Sequence, residues 1–171
     1  MKVLRTPLLF VGLALAVWGC QSKAENASSN AFAAEDDVPS FRDYWYRGQA
    51  EITSYTLQQA RYGAMHEGEA VLVFVTEPFS KSKQVKLDYE GRAGNDAVSI
   101  LKLNLTKKFY TGVYPYSIMQ SSFTPVNADQ FPNTLKVSMS SQEWCGHTFS
   151  QLNLNEDGSY HFSGKSYFES E

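Results

Sequence analysis

The sequence predicts a mainly β protein, an antiparallel meander forming a sandwich or a partly open barrel, and three observations carry that prediction. Runs rich in Val, Ile, Thr, Tyr and Phe recur along residues 41–171, separated by Gly, Pro, Asn and Asp. Leu135-Lys136-Val137-Ser138-Met139-Ser140 alternates apolar and polar without a break, as a strand does when one face is packed and the other wetted. Outside Tyr55 to Tyr62, no stretch of ten or more residues holds the 3.6-residue apolar period of a surface helix. Consecutive hairpins of this kind give seven or eight strands in a meander.

The chain opens with Lys2 and Arg5, runs apolar from Leu8 to Trp18 interrupted by Gly12, and reaches Gly19-Cys20 before turning polar. That apolar run falls well short of the roughly 20 residues a membrane-spanning helix needs, so residues 1–19 read as an export signal. A small residue directly before cysteine resembles a bacterial lipoprotein signal, with Cys20 the acylated first residue of the mature chain; the alternative is a plain secretory signal that contains a cysteine. Each acyl methylene buried in a bilayer contributes about 0.8 kcal/mol, enough for lasting anchorage when several chains share one cysteine. Loss of Lys2 and Arg5 with the signal moves the net charge from -3 to about -5, which argues against nucleic acid as a partner. From Gln21 to Ser40 the chain is Ala, Ser, Asn and acid, too polar to bury a core, and is expected to be a flexible tether. The roughly 130 residues that follow suffice for one domain.

Within that domain, Phe41 to Arg47 is dense in aromatics and fits either a short helix or an opening strand. Glu51 to Leu57 and Ala70 to Thr76 are expected to pair as a hairpin turning at His66-Glu67-Gly68, with Pro78 ending the second strand. Gln84 to Leu87 is a short strand candidate. Val98 to Leu105 alternates, but its apolar phase shifts at Ile100-Leu101, which predicts a bulge or a buried strand end. Lys107-Lys108 reads as a break, and Phe109 to Met119 as a further strand placed by Pro115 at an edge or bulge. Leu135 to Ser140 leads into Glu143-Trp144-Cys145-Gly146-His147, Phe149 to Leu154 continues, and Asn155-Glu156-Asp157-Gly158 turns into a return strand from Ser159. The chain stops at Tyr167 to Glu171 still in a strand-like pattern, so it is expected to be the N-terminal part of a longer protein.

Three chemistries compete for the stretch Glu143 to His147. On a strand, Glu143, Cys145 and His147 project from one face, placing a carboxylate, a thiol and an imidazole in a row. A nucleophilic thiol needs a base within hydrogen-bond reach, which His147 meets only marginally, and four residues of strand separate Glu143 from His147 by roughly 13 Å. Free cysteine most often behaves as a small buried hydrophobe, so Cys145 is expected to be shielded at a strand crossing with Trp144 as a packing anchor. The same three residues could ligate metal, with His66 or His161 from other strands, but the paired close spacing of structural zinc sites is missing; no metal and no cofactor are expected. An aromatic binding surface for an amphiphilic or carbohydrate ligand is the third reading, with Tyr114, Tyr116, Trp144 and Tyr160 as its members; ordinary core packing is its competitor. Neither a phosphate-binding GxxxxGK[ST] loop nor a GxSxG nucleophile elbow occurs in the sequence.

Tyr44-Trp45-Tyr46, Gly48 to Tyr55, Gln59 to Gly63, Thr111 to Ser117 and Gln142 to His147 together resemble a family of uncharacterised bacterial lipoproteins often labelled "septum formation inhibitor Maf". The resemblance covers residues 44–171 and implies an envelope lipoprotein, with the outer membrane as the expected location, and a chain continuing past Tyr167. Maf pyrophosphatases are cytosolic α/β enzymes with a Ser-x-Ser-Pro-Arg-Arg type motif; no such run exists here, so nucleotide hydrolysis is carried over to no residue. The function expected from sequence is a non-enzymatic binding or structural module anchored through Cys20, contacting an amphiphilic or carbohydrate ligand or an envelope protein. The alternative is an envelope enzyme using Cys145 and His147.

Overall fold

The computed structural model describes residues 40–169; the expected signal peptide, Cys20 and all of the tether except Ser40 lie outside the described residues. A short helix, α1 (Phe41–Trp45), precedes seven strands: β1 (Glu51–Arg61), β2 (Ala64–Ser80), β3 (Ala97–Thr111), β4 (Tyr114–Pro125), β5 (Lys136–Glu143), β6 (Gly146–Leu154) and β7 (Tyr160–Ser166). They form one antiparallel sheet whose strand order follows chain order. The meander does not close, so β1 and β7 are its two edges.

Register sorts the side chains onto two faces, because residues directly opposite each other across a ladder share a face. One face carries Leu72 with Leu105 and Met139, then Phe74 with Leu103, Val137, Leu152 and Phe162. The other carries Glu69, Lys108, Ser117, Gln142 and His147, then Asn104, Ser121, Ser138, Gln151 and Ser163. The apolar face is concave. In a flat sheet β1 and β4 lie about 14 Å apart, yet the Tyr62 and Tyr116 hydroxyls are 3.1 Å apart and the Arg61 guanidinium sits 5.3 Å from the Tyr116 ring centroid.

Gly68 permits part of that curl. It faces Phe109 across the β2–β3 ladder, and a Cβ built on it would overlap the Lys108 carbonyl oxygen and lie 2.7 Å from the Phe109 Cβ. Any larger residue forces the two strands apart at this point.

The core sits at the end remote from the hairpin tips, where Phe79, Val98, Ile100 and Leu135 are buried and Phe123, Phe131 and Leu154 pack against them. The connection from β2 to β3 folds over this end. Gln84 is buried in it at φ +53, donating its amide to the Leu154 carbonyl at 2.7 Å and accepting from Asn153 Nδ2, while Lys136 Nζ reaches its backbone carbonyl at 3.2 Å. Ser80, also buried, donates to Asp96 at 2.5 Å, and that hydrogen bond above all holds the Asp96 carboxyl below its ordinary range.

Helix α1 resolves the open choice at Phe41 to Arg47. The Ser40 hydroxyl accepts from the Asp43 amide at 3.2 Å and so caps the helix. Trp45 lies edge-on to Phe74 at 6.2 Å and Thr76 donates to the Trp45 carbonyl at 2.6 Å, while Tyr46 reaches Ser99 at 2.8 Å. Phe74, Thr76 and Ser99 share the apolar face, so α1 covers the lower end of the concavity beside β2 and β3.

Several local expectations are corrected. The β1–β2 hairpin turns at Tyr62-Gly63, both at positive φ, and not at His66-Glu67-Gly68, which lies inside β2. Strand β2 runs through Pro78 to Ser80; β1 pairs with it only as far as Phe74, so Pro78 stands at a local edge where its missing N–H costs nothing. Of the two readings of the phase shift at Ile100-Leu101, the buried strand end holds and the bulge does not, since β3 pairs with β2 without a gap; Val98 and Ile100 face the end core while Leu101, Leu103 and Leu105 face the concavity. Phe109 to Met119 is two strands joined at Gly112-Val113, with Gly112 at φ +66. Gln84 to Leu87 forms only an isolated bridge between Lys86 and Phe79.

Candidate functional site

At the hairpin-tip end the concave face holds a cavity of about 260 Å³, lined among others by Gln59, Arg61, Lys107, Phe109, Tyr116 and Glu143. Its back wall is an aromatic stack. Phe109 on β3 and Tyr116 on β4 face each other across the ladder with centroids 4.6 Å apart and planes at 1°. Tyr114 continues the row at 5.2 Å from Tyr116, and Trp144 at 5.4 Å from Tyr114. Strand β1 supplies the roof, where the Arg61 guanidinium stands over both the Tyr62 and Tyr116 rings.

The electrostatics are set by two cations and one carboxylate. Lys107 Nζ donates to the Gln59 side-chain carbonyl at 3.2 Å. The described residues contain ion pairs only between Glu77 and the amines of Lys86 and Lys102, so neither Arg61 nor Lys107 has a carboxylate partner there. The Tyr116 hydroxyl holds its proton above the ordinary phenol range, through desolvation first, then its bond to Tyr62 and the nearby Glu143 carboxylate. Tyr114 is pushed up to about 12, by desolvation first and then by Cys145. Both phenols are therefore neutral hydroxyls near neutral pH. They can donate and accept hydrogen bonds but supply no phenolate nucleophile.

Of the residues singled out from sequence, the fold brings Tyr114, Tyr116, Trp144 and Glu143 together. Tyr116 is buried and Tyr114 half-buried, while Trp144 is 69% exposed at the rim. Tyr160 shares the concave face but lies at its far end, level with Leu154, where its hydroxyl donates to the Thr134 carbonyl at 2.7 Å. From the Tyr116 row to that level is eight residues along β4, roughly 26 Å, so Tyr160 does not join this cluster.

The row of Glu143, Cys145 and His147 on one face is not formed. Strand β5 ends at Glu143 and β6 begins at Gly146, with Trp144-Cys145 as the turn. Glu143 pairs with Gly146 on the concave face, whereas His147 pairs with Gln142 on the opposite face. The turn reverses the strand, so the alternation that placed the three side chains together does not apply. Cys145 is exposed at a hairpin tip, not shielded at a crossing, and its backbone N–H donates to the Tyr114 hydroxyl at 2.6 Å. Among the described residues no three His, Cys, Asp or Glu side chains are grouped to hold a metal ion; His66 and His161 stand on β2 and β7, at opposite sides of the sheet.

Sequence reasoning missed Gln59, Arg61, Tyr62, Lys107 and Phe109. The local signal was Gly63, a turn-favouring residue that puts Arg61 at the tip of a strand; Lys107 and Phe109 on β3 carry no such signal. Comparison of the chain with protein-family models, with curated proteins and with solved structures finds no match.

Proposed function

We propose that this chain is a lipid-anchored binding module of the bacterial envelope, held through acylated Cys20, whose concave sheet face takes an amphiphilic or carbohydrate ligand. The observation that carries the reading is the aromatic wall of Phe109 and Tyr116 lining a cavity beneath Arg61 and beside Glu143, with Tyr114 continuing the row of rings toward the rim. Aromatic faces give apolar contact area, and neutral tyrosine hydroxyls with one carboxylate and two cations give directional polar contacts. The sheet does not close, and the row of rings runs from buried Phe109 and Tyr116 through half-buried Tyr114 to Trp144, exposed at the rim. The uncharacterised lipoprotein family that the sequence resembles fits the same address.

Trp144 at the rim serves as the reporter. In Trp45→Phe, which leaves Trp144 as the indole of residues 20–171, titration with dodecyl maltoside below its micelle concentration, which offers a sugar head and an apolar tail together, is expected to shift Trp144 emission saturably. The shift should weaken in Tyr114→Ala. Unchanged emission at every concentration refutes the reading. For the anchor, Cys20→Ser is expected to release the protein from the membrane fraction, and retention there counts against acylation.

A further inference from the structure

We infer that the ligand of the concave face is an anionic acyl lipid, its headgroup between Arg61 and Lys107 and its acyl chain lying along the sheet toward Trp45. The inference rests on the binding reading above and names the class of ligand.

Below the cavity the concave face continues as an apolar trough. Lys107 shares its level with Ile118; one level down are Leu72, Leu105 and Met139, then Phe74, Leu103 and Val137, then Leu101. From Lys107 to Leu101 is six residues of β3, roughly 20 Å of trough. Among the described residues no second layer lies over it: extensive contacts between elements run only between sheet neighbours and between β1 and β3. Leu72, Phe74, Leu101, Leu103, Leu105 and Val137 accordingly all stay half-buried on the face of the sheet that is richest in apolar side chains. Helix α1 stands at the lower end, with Trp45 against Phe74.

Charge selects the occupant. Among the described residues Arg61 and Lys107 lack carboxylate partners, and Glu143, the acid in the same cavity, neighbours the Tyr116 hydroxyl. The cavity thus carries an excess positive charge at one end of the trough, while the carboxylate on the trough's rows, Glu51 opposite Phe74 on the edge strand β1, accepts from the Tyr44 hydroxyl at 2.7 Å at the other end. A carbohydrate matches the aromatic wall but leaves the trough uncovered and the cations unpaired. An anionic headgroup with one acyl chain satisfies both, because burial of each methylene contributes about 0.8 kcal/mol and the cations gain a charged partner.

The test uses the full chain carrying Trp18→Phe and Cys20→Ser, so that Trp45 and Trp144 are its two indoles and no acyl group of its own competes, and lysophosphatidylglycerol brominated near the chain terminus. Bromine quenches indole fluorescence at short range. Quenching is expected in Trp144→Phe, which keeps Trp45, and should be lost in the double variant Trp45→Phe/Trp144→Phe. Arg61→Ala and Lys107→Gln, both at strand positions with solvent access, should each weaken binding about tenfold, with circular dichroism confirming the fold. Lysophosphatidylcholine of the same chain should bind more weakly than the glycerol lipid. Equal binding of the two lysolipids, with no effect of either cation variant, overturns the headgroup assignment. Absence of quenching, alongside a Trp144 response to an N-acetylglucosamine oligomer, overturns the acyl ligand and leaves the binding module standing. Silence of both tryptophans toward every probe overturns both.

Discussion

Gly68→Ala tests the curl of the sheet with a single methyl group. Two effects oppose each other. Alanine restricts the unfolded chain, which stabilises by about 0.4–1 kcal/mol where the native backbone accepts it. Against this, the new Cβ overlaps the Lys108 carbonyl oxygen and comes within 2.7 Å of the Phe109 Cβ, atoms fixed by the backbone and unable to swing aside. Overpacking of that kind costs about 1–3 kcal/mol. The clash wins by about 1–2 kcal/mol, which for a domain of this size lowers Tm by roughly 3–10 °C. Phe109 must move with its strand, so the Phe109–Tyr116 stack and ligand binding suffer together. Gly91→Ala is the control, because a Cβ there meets nothing within 4 Å and its φ is ordinary; Tm should rise by roughly 1–5 °C. Thermal unfolding by circular dichroism reads both. A Gly68→Ala protein melting at or above the wild type would falsify the close approach of β2 and β3.

Removing the hydroxyl contact between β1 and β4 in Tyr62→Phe should cost about 0.5–1.5 kcal/mol, and in a cycle with Tyr116→Phe the two losses should be less than additive; full additivity in urea unfolding argues that the roof is not held this way. Tyr114 keeps its proton up to about 12 in the folded protein, against about 10 when unfolded, so the native state binds more protons across that window. Its stabilising contribution is fully present below pH 10 and lost as pH rises toward 12; Tyr114→Phe should flatten that alkaline decline, and an unchanged slope speaks against the shift. Cys145, exposed at its turn, should react with a maleimide in the native protein at a rate close to that of the unfolded chain, and labelling that requires denaturant contradicts its placement.

The strands were legible because their residues are β-branched and aromatic in alternation, and that pattern is local. The turns were less so. Gly68 and Gly63 look alike in sequence, yet Gly63 is needed for its φ of +76 and Gly68 for its missing side chain, a difference that depends on what lies across the ladder. Tyr62 at φ +51 gives no local sign of a turn. Lys107-Lys108 looked like a polar break because two adjacent charges resist burial; in the strand they face opposite ways, Lys107 into the cavity and Lys108 to the polar face. Tyr114, Tyr116 and Trp144 were found because aromatics cluster near them in sequence, and Arg61 was missed because it arrives from three strands away.

The mainly β class and the antiparallel meander were determined by sequence, since pairing of neighbours needs only alternation and short connections. Tertiary structure decided that the meander stays open and curls, and which face became the concave one. Those outcomes follow from long-range approaches, Gly68 against Phe109 and Tyr62 against Tyr116, which no window of consecutive residues contains. It also separated Glu143 from His147, because a turn of two residues reverses the chain and sends the imidazole to the other face.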